Sequence, residues 1–372
     1  MKRRCNGEGT ISRRRDGRFV AAVTLDGGRR KFVYTRTREE AARKLTELLK
    51  AKHDGLPIPT ERQTVKDFLL SWLEAVRPSI RPRTWGRYSE YVNLHVIPEL
   101  GRLPLSRLTP QHVQRLYARK REQGLSAATV RHLHAVLRKA LADALRWAQV
   151  ARNVAALVKP PRAQHRDMTT LTPEQARAFL AVARGERLEA LYVAALTTGM
   201  RRGELLALRW KDVDLERRRL QVTATLQRTP DGFDFSEPKT TRSRRQILLG
   251  EAAVTALKQH RVKQAEERLR LGAAWDDRDL VFANEVGRPI EGSNLIQRSF
   301  HPVLERAGLP RIRFHDLRHT YATLALGQGV HPKVVSDALG HANIAITLDT
   351  YSHVTPAMHQ QATEALDAVL RG

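Results

Sequence analysis

At 372 residues with 41% hydrophobic content, the chain is long enough for two or three globular domains, and its formal net charge of +26 with a pI of about 11.0 points to a polyanionic partner. Counterion release from phosphates is the usual gain from such a field, so nucleic acid is the expected ligand, with ribosome association the plainer alternative. The single cysteine, Cys5, excludes an intramolecular disulfide and a cysteine-based metal site, and the absence of a long apolar run predicts neither a secretory signal nor a spanning helix, hence a cytoplasmic chain with no membrane partner.

The charge is uneven. Residues 1–62 carry 17 Lys+Arg against 8 Asp+Glu, residues 63–160 carry 17 against 6, and residues 161–372 carry 31 against 25. The first two segments therefore look like clamps on DNA and the last like a more balanced catalytic body. In chain order, G-R-F-V-A-A-V-T-L-D-G-G-R-R-K-F-V-Y predicts two strands joined around Asp26-Gly27-Gly28. The helix after them places Ala41, Leu45, Leu48 and Leu49 on one face. This small sheet backed by one helix is expected to be a domain of its own over residues 1–60, with Arg13, Arg14, Arg15 and Arg18 available to DNA. The Pro- and Gly-containing stretch His53–Arg62 reads as a linker.

Four helices follow over 64–155. Thr64 with Asp67 forms a capping-box pattern, Pro82 and Thr109-Pro110 open the next two, and Ser126 opens the last. Short connections make this a compact bundle. Arg115, Arg119, Arg131, Arg138 and Lys139 recur away from its leucines and are candidate DNA contacts. A Pro- and Arg-containing junction over 151–170 precedes Thr172-Pro173-Glu174-Gln175, the start of a last domain over 168–372. There the β-prone runs R-R-L-Q-V-T-A-T-L-Q and P-K-T-T-R-S-R-R-Q-I-L-L predict a small antiparallel sheet among helices. The fold class is thus mainly α with small antiparallel β elements (α+β).

The last domain carries four informative segments. T-T-G-M-R-R-G-E-L-L-A-L holds Arg201, Arg202 and Glu204, and E-P-K-T-T-R-S-R-R-Q-I-L-L holds Lys239 beside Arg242, Arg244 and Arg245. R-F-H-D-L-R-H-T-Y-A holds His315 and Arg318, and H-A-N-I-A-I-T-L-D-T-Y runs from His341 to Tyr351. Singly, each has a plain reading: exposed helix arginines, a phosphate-contact lysine, core histidines, a packing tyrosine. Together they suit phosphodiester cleavage by a protein nucleophile. Arginine forks can hold the equatorial oxygens, the task that metal ions perform in two-metal nucleases, and no Asp/Glu cluster of that kind is visible.

In these segments the sequence closely resembles the tyrosine recombinase, or phage integrase, family. The resemblance spans the whole chain, with specific motifs in the last domain and weaker matches before it. It places the catalytic arginine at Arg201, directly after the G-M step, rather than at Arg202, with Glu204 as its supporting carboxylate. It implies Tyr351 as the nucleophile that forms a 3′-phosphotyrosyl bond; Tyr321, in a helical apolar stretch, is the rival. Arg201 and Arg318 would bind the non-bridging oxygens, and His341 would donate to the phosphate. Lys239 would protonate the leaving 5′ oxygen, and His315 would accept the tyrosine proton. Neither cofactor nor metal is implied. Residues 1–60 resemble an arm-type DNA-binding domain and 64–155 a core-binding, SAM-like helical domain. The implied partners are double-stranded attachment sites, sister copies in a homotetramer on DNA, and a directionality factor. The implied activity is site-specific recombination for a phage or mobile element. A type IB-like topoisomerase or an inactive DNA-binding protein are the alternatives, and residues 1–60 disfavour a Xer-type resolvase. The tail places Met358, Ala362, Ala365, Leu366 and Val369 on one helical face, which could dock on a neighbouring copy or on its own domain.

Overall fold

The computed structural model describes residues 9–24, 30–53, 63–162, 168–229, 232–237 and 244–351, with Thr363 and Leu370. They fall into two compact units, Met1–His165 and Arg166–Gly372.

In the first unit, β1 (Thr10–Arg13), β2 (Phe19–Thr24) and β3 (Arg30–Thr35) form an antiparallel sheet in that order. The last pair is Thr24 with Arg30, so the strands lie where expected; the Asp26-Gly27-Gly28 turn lies outside the described residues. Central β2 is apolar on both sides, with Val20, Ala21, Ala22 and Val23 all buried. Helix α1 (Arg38–His53) packs on the sheet through buried Ala41 and half-buried Leu45, Leu48 and Leu49, the face that periodicity predicts.

The same unit continues with α2 (Val65–Val76), α3 (Pro82–Tyr91), a π-helical turn over Val92–Val96, α4 (Ile97–Leu100), α5 (Pro110–Glu122) and α6 (Ala127–Arg146). The caps are those that the sequence announces: Thr64 with Asp67, Thr109 with His112, and Ser126 accepting from the Thr129 N–H. The second predicted helix runs on past Val92 because its π turn widens the coil just ahead of Pro98. That widening accommodates the missing N–H and the ring that would crowd the carbonyl of residue 94. Phe68, Leu69, Trp72, Tyr117, Leu133 and Leu137 form the core, and buried Trp72 donates to Asp143 at 2.8 Å.

The second unit opens with α7 (Pro173–Ala183), capped by Thr172 and Gln175. Next come α8 (Glu189–Thr198), α9 (Arg202–Leu206), β4 (Val213–Asp214), β5 (Arg219–Val222), β6 (Thr225–Thr229), β7 (Gly232–Ser236) and β8 (Arg245–Leu248). The chain then forms α10 (Glu251–Leu271), α11 (Gly292–Leu295), a π turn over Ile296–Phe300, α12 (His301–Arg306), α13 (Asp316–Gly327), α14 (Pro332–Leu339) and α15 (Ile344–Thr350). Helix α8 is buried from Ala190 to Leu196 and packs against α7, α10 and α13, which makes it the axis of the unit. The expected small sheet is two: β4-β5-β8, and a separate β6-β7 hairpin. Thr223-Ala224 interrupts the predicted continuous run, and G-F-D-F-S, not singled out in the sequence, supplies β7 through its alternating Phe233 and Phe235. The predicted tail face, Met358 to Val369, lies outside the described residues.

Candidate active site

Helix α8 stops at Gly199, whose φ of +62° is left-handed; a Cβ there would come within 2.5 Å of the Tyr321 ring. The reversal brings Arg201 to the N-cap of α9. Its backbone N–H donates to Glu204 Oε2 at 2.9 Å and its guanidinium to Oε1 at 2.8 Å. Three-residue spacing at a helix start puts a carboxylate over the N-cap, which is why R-R-G-E folds this way. Glu204 is only 4% exposed, so its charge needs more than one half-exposed arginine. The second cation is Arg245 on β8, with Nη2 donating at 2.9 Å to Oε2 and Nη1 at 3.3 Å to Oε1. Arg245 Nε also donates to Ala338 O at 2.6 Å, tying the strand to the end of α14. Burial alone would raise the Glu204 pKa, but Arg245 and then Arg201 hold it below the usual carboxylate value.

Arg318 enters from α13, 3% exposed. Its two terminal nitrogens donate to Gly199 O at 2.8 Å and Leu339 O at 2.7 Å. Burial and the neighbouring Arg201 disfavour its charge, and Glu204 only partly offsets them. Three guanidiniums thus converge around one buried carboxylate, an arrangement that favours an incoming anion. Arg202 points elsewhere, toward Gly292 O at 3.4 Å.

The segment from His341 to Tyr351 folds as one local unit with the end of α14. Helix α14 ends at left-handed Gly340, His341 follows, and Asn343 caps α15. His341 Nδ1 lies 2.8 Å from Oγ1 of fully buried Thr347, and Tyr351 closes the last turn through its N–H to Thr347 O at 3.0 Å. Burial, followed by Arg318 and Arg201, lowers the His341 pKa to about 4. Tyr351 is 2% exposed, and burial raises its hydroxyl to about 12 despite Arg318. Its Oη lies 2.8 Å from Nδ1 of His319, one turn along α13 from His315. The two imidazoles meet edge to face, centroids 5.0 Å apart. His315 is at the N-cap of α13 with an exposed rim, and its pKa is lowered by burial, then by His319, Arg318 and Arg201.

The structure therefore brings Arg201, Glu204, His315, Arg318, His341 and Tyr351 into one side of the second unit. Lys239 lies outside the described residues. Tyr321 packs against Gly199 and the small cluster of Ala322, Leu326, Val335 and Leu339. Two participants escaped the sequence reading. Arg245 was legible only as the inward position of an alternating strand, and His319 only as the residue one turn beyond His315. Among the described residues no group of three or more His, Cys, Asp or Glu could hold a metal ion, and no helix is long and apolar enough to cross a membrane.

The nine basic candidates of the first unit are all exposed. Arg18 is paired with Asp16 at 2.8 Å, and Arg119 with Glu99 at 2.5 Å. Arg14 lies 5.1 Å from the half-exposed Tyr34 ring, and Arg13 5.7 Å from Phe19. Arg15, Arg115, Arg131, Arg138 and Lys139 face solvent.

Guanidiniums around a buried carboxylate, with a tyrosine hydroxyl and imidazoles beside them, are the kinds of group that phosphoryl transfer to a protein nucleophile calls for. Residues 169–358 match the phage integrase family, and 64–120 match the phage integrase N-terminal SAM-like domain. A XerC-like tyrosine recombinase of Caldanaerobacter subterraneus subsp. tengcongensis is 33% identical over 96% of this chain and 94% of its own. An integrase of Streptomyces ambofaciens is 32% identical over 100% and 98%. The integrase of transposon Tn1549, solved in complex with a circular intermediate DNA, shares the fold at a TM-score of 0.69 and 23% identity, covering 82% of this chain and 99% of that one. The chain belongs to the phage integrase family. It is a tyrosine-type site-specific recombinase, an enzyme that breaks and rejoins DNA.

Proposed function

We propose that the chain integrates or excises a phage or mobile element by cutting each attachment-site strand with Tyr351. Tyr351 Oη forms a bond to phosphorus as the P–O5′ bond breaks, leaving a 3′-phosphotyrosyl link and a free 5′-hydroxyl. The hydroxyl proton passes to a histidine at the start of α13, which the family resemblance places at His315, and the departing O5′ takes one from Lys239. Arg201 and Arg318 hold the non-bridging oxygens, His341 donates to the phosphate, and Glu204 fixes Arg201 from behind. Donors placed in a buried site reorganise little as charge develops, so they stabilise the transition state more than water would. The phosphotyrosyl bond conserves the energy of the broken one, so a partner 5′-hydroxyl can reseal it without ATP.

Exchange between two duplexes breaks four strands. With one tyrosine per copy this calls for a homotetramer on DNA, and a directionality factor would bias integration against excision. Residues 1–60 would bind arm sites through Arg13, Arg14, Arg15 and Arg18. Residues 64–155 would grip the core through Arg115, Arg119, Arg131, Arg138 and Lys139, and residues 168–372 would carry the chemistry. The observation that carries this reading is the convergence of Arg201, Glu204 and Tyr351 on buried Arg318, with Arg201 paired to Glu204. The test is Tyr351→Phe on supercoiled DNA bearing candidate attachment sites. Covalent adduct and recombinant product should vanish while DNA binding persists; an adduct that remains, or moves to Tyr321, overturns the assignment.

A further inference from the structure

We propose that His319 is the group that receives the proton of Tyr351 as the nucleophile attacks. The inference rests on Tyr351 being that nucleophile. Family resemblance points to His315 for this task, but the geometry favours its neighbour one turn along. His319 Nδ1 is 2.8 Å from Tyr351 Oη, within direct proton-transfer distance. The rings themselves are tilted, with centroids 5.8 Å apart, so the approach is by the polar edges and is not a stacking contact. His315 instead presents itself to the His319 ring at 88°.

The protonation state suits an acceptor. Burial holds the His319 pKa below its ordinary value; Asp316 pulls it back up, while Arg313 and Arg318 push it down. These groups, with His315, His341 and Tyr351, are the titratable and charged neighbours that bear on it. A neutral ring that accepts from the tyrosine at Nδ1 carries its own hydrogen on Nε2. The phenol, raised by burial, does not ionise alone near neutral pH, so transfer must accompany attack. In that step the Oη–P bond forms and the P–O5′ bond breaks. The Oη proton moves to His319 Nδ1, giving an imidazolium, and O5′ receives a proton from Lys239. Resealing runs the same transfers backward.

Asp316 and Thr320 anchor the turn that presents His319. Asp316 accepts from the Arg313 N–H at 2.7 Å, and the Thr320 hydroxyl donates to Asp316 O at 2.9 Å. Thr320 Oγ1 also accepts from the Leu171 N–H at 3.0 Å, which fixes α13 to the start of the unit. His319 therefore sits on a braced helix, and Tyr351 comes to it from the chain's last described turn.

The experiment is single-turnover adduct formation by the full chain on a nicked core duplex, from pH 6 to 9, using the duplex on which the wild-type chain forms its adduct. Two substrates are compared, the ordinary phosphodiester and one with sulfur in the 5′-bridging position. His319→Gln keeps a polar side chain near Tyr351 but cannot take a proton. It should slow the adduct by roughly 10²-fold at pH 7, a usual size for lost general-base assistance. The core-duplex Kd should be unchanged. The deficit should shrink as pH rises, because hydroxide can then remove the proton. Sulfur, a leaving group that needs no protonation, should restore Lys239→Ala but not His319→Gln. His319→Ala, with no polar group left, should be at least as slow. The inference fails if His319→Gln or His319→Ala cuts within threefold of the wild-type rate, if the deficit is the same at pH 6 and pH 9, or if sulfur restores it. Tyr351→Phe run alongside separates the two levels. An adduct in that variant removes the nucleophile assignment, whereas a silent Tyr351→Phe beside a fully active His319→Gln removes only the role of His319.

Discussion

Replacing Arg245 by Met tests how the second unit holds its buried charge. Arg245 and Glu204 have side chains only 7% and 4% exposed, and their closest contact is 2.9 Å. Removing one member of a buried pair typically costs about 3–5 kcal/mol, because the other charge is left without its counterion. Here Arg201 still reaches Glu204 at 2.8 Å, so the lower end, about 3 kcal/mol, is expected. For a unit of this size that corresponds to roughly 6–12 °C in Tm. Glu204→Gln should be at least as damaging, since it leaves Arg201, Arg245 and Arg318 facing one another. The double variant should be more stable than the sum of the single losses, by at least 1–2 kcal/mol, as groups in contact do not add. Thermal denaturation of the full chain gives the loss, and hydrogen exchange at β8 and α9 assigns it to the second unit. Adduct formation should fall too, since Arg245 Nε holds Ala338 O just before the Gly340–His341 turn. An Arg245→Met protein that loses less than about 1 kcal/mol, or a double variant no better than additive, refutes the pairing as an energetic unit.

Gly199→Ala should destabilise by about 1–3 kcal/mol, since it combines a left-handed φ with a Cβ 2.5 Å from Tyr321; a calorimetric scan reads it, and slower adduct formation should accompany it as the carbonyl under Arg318 shifts. The lowered pKa of His341, to about 4, means that the unfolded chain takes up a proton below pH ~6.5 while the folded protein resists, so stability of the second unit should decline as pH falls from ~6.5 toward 4, as urea titrations at several pH values will register. Cleavage should survive EDTA, because the phosphate grip is assigned to Arg201, Arg318 and the histidines; loss of cleavage that magnesium restores, with binding unchanged, argues for a different mechanism. Deleting residues 1–60 should leave cleavage of a short core duplex intact, abolish integration that needs distal arm sites, and make log K less steep against log salt, measured by titration at several salt concentrations.

Local signals are strong where neighbours in sequence decide the outcome. Thr64, Thr109, Ser126 and Thr172 cap helices because a hydroxyl satisfies N–H groups two or three residues on, whatever the rest of the chain does. The Arg201–Glu204 contact is of the same kind, set by spacing at a helix start. So is the turn that carries His341, Thr347 and Tyr351 together. These made the class of chemistry readable from the order of the four segments of the last domain. What tertiary structure alone decided is which groups meet across long separations. Arg245 and Glu204 are 41 residues apart and His319 and Tyr351 are 32 apart, so no periodicity links them. The arginine that neutralises the buried carboxylate was one of several in a basic run, and only the inward register of β8 selects it. The imidazole at the nucleophile was selected by one turn of α13, because residues four apart share a helix face and the rise of about 6 Å between them separates a ring at the rim from a ring on Tyr351.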